Sequence, residues 1–145
     1  MVHEQIWDKT LQKGNLWLKE LATDLAWVSM NDTLLALRAV LHALRDRLPT
    51  NEAAQLAAQL PLLIKAVYYD GWDPSRTPVK ARTKEQFLAL VKPPLERGMP
   101  GVDAERVTRA VFRLIAGHVS AGEVADIRGI LPQELLELWP VKSAV

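Results

Sequence analysis

The sequence contains no cysteine, and this absence excludes several kinds of chemistry together. Disulfide bonds, thiolate nucleophiles and cysteine-ligated zinc sites all require residues that the chain does not have. Proteins without disulfides are typical of reducing compartments, so we predict a cytoplasmic protein. The chain has 145 residues, which is the length of one domain that buries enough apolar surface to fold without cross-links.

The sequence also lacks the short motifs that carry common kinds of catalysis. It contains no GxSxG, no GxxxxGK[ST] and no GxGxxG, so it has no nucleophile elbow, P-loop or dinucleotide fingerprint. Its three histidines form neither HxxxH nor HExxH, so no zinc site is predicted. We therefore assign no catalytic residue, no cofactor and no metal, and the choice between an enzyme and a binding protein stays open.

The charged residues are nearly balanced. Eighteen lysines and arginines oppose seventeen aspartates and glutamates, which gives a formal net charge of +1 and no overall attraction for nucleic acid or anionic lipid. The densest basic run comprises Arg76, Lys80, Arg82 and Lys84. We interpret this run as a solvated loop, because surface lysines and arginines need no partner, and we do not expect nucleic-acid binding.

No apolar stretch is long enough to cross a membrane. The most apolar segment, LAAQLPLLIKAVYY at residues 56–69, contains glutamine, proline and lysine and is shorter than a bilayer span. The first residues, MVHEQIWDK, lack the basic and apolar regions of a signal peptide. We therefore expect a soluble protein that does not contact a membrane.

Apolar residues recur with helical spacing along most of the chain. Apolar or small residues recur every three or four positions over residues 7–28, with a possible break at Gly14, and a leucine stripe follows over residues 34–48. Thr83–Gln86 and Ser120–Glu123 have the form of capping boxes at helix starts. No segment shows the alternation of a β-strand. The sequence therefore predicts an all-α fold.

A repeat becomes visible when residues 37–69 are placed over residues 108–140, a shift of 71 positions (37 to 108) without a gap. The identical pairs are Arg38/Arg109, Ala39/Ala110, Val40/Val111, Glu52/Glu123, Ala54/Ala125, Leu60/Leu131 and Pro61/Pro132. A unit of three or four short helices has an apolar face that it cannot bury alone.

We therefore predict a single helical bundle over residues 1–145, built from two tandem copies of a three- to four-helix unit. Copy one spans about residues 4–69 and copy two about residues 83–140. Residues 70–82 are the connector, because Asp-Gly and Asp-Pro in YYDGWDPSRTP are turn dipeptides.

The same segments resemble a known family. LRAVLHALRDRLP, AAQLAAQLPLLIKAVYYDGW, RAVF and LPQELLELWP are similar to segments of the bacterial domain of unknown function 2267 family, and the resemblance covers nearly the whole chain. It implies an all-helical protein with two related halves. It implies no activity, cofactor or catalytic residue.

Five residues are candidates for a ligand site at the junction of the two copies. They are Arg38, Arg109, Tyr68, Tyr69 and Trp72. The two arginines occupy the same position in both copies, so they form a pair that suits an anionic ligand. The alternative is structural, because each arginine can cap the last carbonyls of the Ala-rich helix of its copy, at Gln59–Leu60 or Ile130–Leu131.

Glu52 and Glu123 also recur at one position of the two copies. Both lie in the first turn of a predicted helix, where a carboxylate is stabilised by the helix dipole, and we predict a capping role for each. No feature of the sequence brings the two carboxyl groups together. Asp70 and Asp73 are read as turn residues, because the spacing of a calcium loop is absent.

Two functions of different classes follow. The first is a non-enzymatic helical protein that presents a surface or groove to an unknown protein or small-molecule partner. The second is an enzyme, or a binder of a small ligand or cofactor, with its site at the junction of the copies. A pocket lined by both arginines favours the second, whereas arginines folded onto helix ends favour the first.

Overall fold

The computed structural model describes residues 2–140, with side chains from residue 5 onward. Over this range the chain forms eight α-helices, one 3-10 turn at Pro74–Arg76, and no β-strand. The helices are α1 (Val2–Leu25), α2 (Met30–Arg47), α3 (Thr50–Ala57), α4 (Leu62–Tyr69), α5 (Lys84–Gly98), α6 (Ala104–His118), α7 (Ala121–Ile130) and α8 (Gln133–Leu136). The all-α prediction is confirmed.

Side-chain caps set the starts of several helices. At α5, the Thr83 hydroxyl accepts a hydrogen bond from the Gln86 N–H, and the Gln86 side chain accepts one from the Thr83 N–H. This is the complete capping box that the sequence predicts. Pro61 and Pro132 stand immediately before α4 and α8, where a residue without an N–H leaves no intrahelical bond unmade.

The first helix ends at Leu25, earlier than its apolar pattern predicts. Ala26 has a φ of 58°, in the left-handed region, and the N–H groups of Ala26 and Trp27 donate back into the last turn at 3.2 and 2.9 Å. This geometry terminates a helix. Val28 is 96% exposed, so the predicted extension of the apolar stripe to Val28 is wrong.

Gly14 does not interrupt α1, which is continuous. It lies instead where α4 approaches, because a Cβ atom at Gly14 would be 3.1 Å from Leu63 Cδ1. The helix tolerates the glycine at a cost of about 1 kcal/mol, and the missing side chain allows α1 and α4 to pack closely.

Helices α2 and α6 form the centre of the bundle. They contact each other, and both α1 and α5 pack against the pair of them. Helix α4 lies against α1 and α2, while α8 contacts α5. Helices α3 and α7 contact each other. One apolar core results, to which all eight helices contribute.

An aromatic stack joins three helices in this core. Phe112 of α6 stacks on Trp139, just after α8, with ring centroids 4.2 Å apart, and its ring centroid lies 5.9 Å from that of Phe87 on α5. Phe87 and Phe112 are fully buried. Stacked and tilted ring pairs at these separations stabilise a core beyond the area they bury.

The connector is attached to the end of α2. The Val79 N–H donates to the Asp46 carbonyl at 2.7 Å, and Arg47 Nε donates to the Ala81 carbonyl at 2.8 Å. Ala81 is buried in the same region. These bonds hold the chain between α4 and α5 against the bundle.

Exposed apolar side chains concentrate on α1. Ile6, Trp7, Leu11 and Leu16 are each more than half exposed, and the first three lie before Gly14, the first buried residue of this helix. In the described part of the chain, no helix combines the length and apolar character that a membrane span requires.

Truncation of Phe112 tests the aromatic stack. We expect Phe112→Ala to lower the free energy of unfolding by about 3–5 kcal/mol, because the cavity lies between two packed rings. Urea denaturation measures this change. Leu62→Ala, which truncates a side chain that is 62% exposed, is the control and should change stability by less than about 1 kcal/mol. Equal effects of the two substitutions would contradict a core centred on Phe112.

Candidate functional site

Three cationic or titratable side chains of α2 converge on the end of α4. Arg38, His42 and Arg45 are spaced three or four residues apart, so they share one face of α2, and this helix packs on α4. The last carbonyls of any helix lack intrahelical donors. The α2 side chains provide those donors, and we call this group of three residues the α4 cap.

Arg45 is the buried member of the α4 cap. Its Nη1 donates to the carbonyls of Tyr68 at 2.8 Å and Asp70 at 2.9 Å, and its Nε donates to the Asp46 carboxylate at 2.8 Å. The residue is only 4% exposed. A buried guanidinium with three acceptors is a structural cap, and none of these donors is free for a ligand.

The other two members of the cap are more exposed. His42 Nε2 lies 2.7 Å from the Val67 carbonyl, so this nitrogen carries the proton and donates. Burial, followed by the nearby charges of Arg45 and Arg38, lowers the pKa of His42, which favours a neutral ring. Arg38 Nη2 pairs with the Asp70 carboxylate at 2.7 Å.

Arg109 caps the end of α8. Its Nη1 donates to the Glu137 carbonyl at 2.6 Å, and its Nε donates to the Glu105 carboxylate at 3.0 Å. Lys84 Nζ lies 3.3 Å from the same carboxylate. The hydrogen bond from Arg109 and the neighbouring Lys84 hold the pKa of Glu105 below its usual range.

The acceptors of Arg38 and Arg109 differ from those that the sequence predicts. The expected carbonyls at Gln59–Leu60 and Ile130–Leu131 are not their partners. The Ala-rich helices end on their own backbone instead, because the N–H groups of Gln59, Leu60 and Leu131 donate back into the last turn at 3.0–3.1 Å. The arginines therefore reach the ends of the following helices, α4 and α8.

The three aromatic candidates form a ladder at the end of α4. Tyr68 is fully buried and its hydroxyl donates to the Ala53 carbonyl at 2.8 Å; burial raises the pKa of this hydroxyl far above its usual range. The Tyr69 ring lies 5.5 Å from that of Tyr68 and 5.3 Å from that of Trp72. Two of the rings are half-buried, and they pack the connector against α4.

Arg38 and Arg109 line different cavities. Arg38 and His42 line a groove of about 160 Å³ between α2 and α5, which Leu90 and Pro94 close on the α5 side. Arg109 lines a wide depression together with Asp103, Glu105, Arg106 and Arg113. The structure thus brings Arg38 and the three aromatic residues to the end of α4 and places Arg109 at the end of α8.

Glu52 and Glu123 meet at the contact between α3 and α7. The carboxylate oxygens of Glu52, Glu123 and Asp126 lie within 4.8 Å of one another. Burial, the hydrogen bond to Glu52 and the negative charges of Glu52 and Asp126 raise the pKa of Glu123 to about 7. This acidic cluster was not predicted from the sequence, and its one signal was the glutamate that recurs 71 positions later (52 to 123).

The capping roles predicted for these glutamates are absent or incomplete. The Ser120 hydroxyl accepts the Glu123 N–H at 3.1 Å, but the Ser120 N–H donates to the Gln59 side chain at 2.7 Å. The Glu123 carboxylate therefore loses its expected partner. Before α3, the N-cap residue is Pro49, which has no N–H for Glu52 to accept. Both carboxyl groups turn inward instead.

The α4 cap predicts a large difference between two arginine substitutions. Arg45→Met leaves the buried carbonyls of Tyr68 and Asp70 without donors, so we expect a loss of about 2–4 kcal/mol in the free energy of unfolding. Arg38→Met removes an ion pair whose side chains are 45% and 60% exposed, which should cost less than about 1 kcal/mol. Urea denaturation compares them. Similar losses would show that Arg45 does not carry the cap.

The raised pKa of Glu123 predicts that stability falls as the pH rises from about 4.5 to about 7. The folded state keeps its proton over this window, whereas the unfolded state releases it. His42, with its lowered pKa, gives the opposite trend below 6.5. We therefore compare the wild type with Glu123→Gln, in EDTA.

The Tm of Glu123→Gln minus that of the wild type isolates the contribution of Glu123. This difference should grow by several degrees between pH 5 and pH 8. A difference that is constant with pH would contradict a raised pKa at Glu123. Differential scanning calorimetry at each pH provides the measurement.

Comparisons with known proteins agree with the helical architecture. A family described as "Uncharacterized conserved protein (DUF2267)" matches residues 14–138, which include all of α2 to α8. A search of the curated proteins finds no match. Since the match covers most of the 145 residues, the chain belongs to the DUF2267 family of uncharacterised conserved proteins.

Proposed function

We propose that this protein is a non-enzymatic helical interaction protein that binds a partner protein through the first half of α1. The observation that carries the proposal is the exposure of three apolar side chains on this segment. Ile6, Trp7 and Leu11 are 58%, 66% and 52% exposed. We call them the α1 patch. Apolar side chains clustered on a surface favour an interaction site, and tryptophan is among the residues that dominate binding energy at interfaces.

The α1 patch continues the stripe by which α1 packs on the bundle. Trp7 and Leu11 are followed at helical spacing by Gly14, Leu21 and Leu25, all three of which are buried. The same face of one helix is thus covered in its second half and open in its first half. A helix or groove of another protein that covers the first half would extend the existing core.

We further propose that the chain consists of two tandem copies of one helical unit. Matching helix ends lie 71 residues apart, and these are Arg47/His118, Thr50/Ala121 and Leu62/Gln133. The helix contacts also exchange in pairs, because α1 contacts α6 as α5 contacts α2, and α1 contacts α4 as α5 contacts α8. Both patterns support a duplicated unit.

The duplication makes the first half of α1 an addition to the unit. Helix α1 has 24 residues, whereas α5, its counterpart, has 15 and begins at Lys84. At a shift of 71 positions, Lys84 corresponds to Lys13. The α1 patch lies entirely before this point, so the repeated unit does not require it. An added apolar segment supports a role outside the fold.

The alternative of an enzyme or small-ligand binder at the junction of the copies receives less support. Arg38 and Arg109 bind opposite helix ends and line different cavities. Tyr68 is fully buried and already donates its hydroxyl proton. These contacts favour structural roles. A cytoplasmic location, which the absence of cysteine favours, is part of the proposal.

The experiment is native mass spectrometry of the protein purified from its own source. We expect the wild type to retain a partner protein and the double substitution Trp7→Asp/Leu11→Asp to lose it, because charge in an apolar contact is costly. Gln5→Asp/Gln12→Asp adds the same charge to another face of α1 and should keep the partner. Circular dichroism checks that all three proteins remain folded.

Two outcomes would contradict the proposal. A partner that stays bound to Trp7→Asp/Leu11→Asp would show that binding uses a different surface. A small molecule retained in place of a protein would support the alternative of a ligand binder.

A further inference from the structure

Glu52 and Glu123 are buried without a neighbouring cation. They are only 5% and 6% exposed. Among the ion pairs of residues 5–140, none includes Glu52, Glu123 or Asp126. Buried carboxylates are usually paired or bound to a metal, because transfer of an isolated charge out of water is costly. The acidic cluster therefore has a deficit of positive charge.

The same two side chains each carry an unpaired oxygen. Oε1 of Glu52 and Oε1 of Glu123 are buried and accept no hydrogen bond. Both side chains are more than nine-tenths buried, and both point into the cluster, where their carboxylate oxygens approach that of Asp126. Unpaired buried acceptors are rare in folded proteins and indicate a bound species.

The spacing of the cluster fits a metal ion. Its three carboxylate oxygens lie within 4.8 Å of one another. Calcium–oxygen distances are about 2.3–2.6 Å, so two oxygens on opposite sides of one ion are about 4.6–5.2 Å apart and neighbouring ones are closer. Three ligands at this spacing can surround one ion without a backbone shift. Carboxylate oxygens are hard ligands, which select Ca²⁺, Mg²⁺ and Mn²⁺ over softer metals.

We propose that Glu52, Glu123 and Asp126 bind one hard divalent cation, with Ca²⁺ as the best fit, at the contact between α3 and α7. Asp126 is exposed, so the site has an opening through which the ion enters and water completes the coordination. The two buried ligands come from helices that begin 71 residues apart, Thr50–Ala57 and Ala121–Ile130. The ion therefore links distant parts of the chain, and it stabilises the fold.

A single shared proton is the competing explanation for the buried pair. One proton between Glu52 and Glu123 would satisfy one oxygen of each and would need no metal. The two explanations differ in their response to added ions. A proton-sharing pair gains nothing from millimolar Ca²⁺, whereas a cation site gains stability in proportion to its occupancy.

Titration calorimetry with CaCl₂ at neutral pH tests the proposal on the full chain. We expect saturable binding of one ion per chain to EDTA-treated protein, and a rise of several degrees in Tm at saturating Ca²⁺. Glu52→Gln and Glu123→Gln should abolish both effects. Asp126→Asn, which changes an exposed side chain, should weaken binding by at least about tenfold. Titrations with MgCl₂ in parallel measure the preference for Ca²⁺.

Glu85→Gln is the matched control. Glu85 is an exposed glutamate in the first turn of α5, so its substitution removes the same charge from a helix start and should leave Ca²⁺ binding unchanged. Added Mn²⁺ should broaden the amide NMR signals of α3 and α7 in the wild type and in Glu85→Gln, which places the ion.

Three results would overturn the proposal. They are the absence of saturable binding of any of the three ions, an equal Tm rise in the wild type and Glu52→Gln, and Mn²⁺ broadening away from α3 and α7. Each would leave the shared proton as the explanation of the buried pair. None bears on the α1 patch, so the two proposals fail independently.

Discussion

The carbonyl groups at the end of α4 need donors, and one face of α2 supplies them. An unpaired buried carbonyl costs about 1–3 kcal/mol, so the positions of Arg45 and His42 along α2 fix where α4 ends. Asp70 follows at once, and its carbonyl and carboxylate are held by Arg45 and Arg38. The connector then begins from a defined point, and its far end returns to α2 through Val79. A single helix therefore positions α4 and both ends of the connector.

Two acidic sites of the bundle differ in how their charge is compensated. At the end of α8, Glu105 receives Arg109 and Lys84, and its pKa is lowered. At the contact between α3 and α7, Glu123 faces only Glu52 and Asp126, and its pKa is raised. The same residue type thus shifts in opposite directions, because one site contains cations of the chain and the other does not. This contrast is why the acidic cluster, and not the arginine-rich end of α8, indicates a missing ion.

Local features of the sequence predict the helices well, because helix starts and apolar stripes depend on neighbouring residues. The capping box at Thr83 is complete as predicted, but the stripe of α1 stops early, because Ala26 adopts a backbone conformation that no local pattern marks. The partners of Arg109 and Glu123 lie on other helices. Such contacts depend on how the helices pack, which spacing along one helix does not reveal. The family resemblance identifies the fold and leaves these contacts undetermined.

The attachment of the connector has a consequence for how the chain tolerates breaks. Pro74–Arg76 is exposed, while the residues on either side of this turn bind α2 through backbone carbonyls and N–H groups. A cut in the exposed turn would separate the chain covalently into two fragments that still share one core. Proteases favour such loop tips, yet a nicked molecule would stay assembled. The two halves could equally be encoded as separate polypeptides that associate after synthesis.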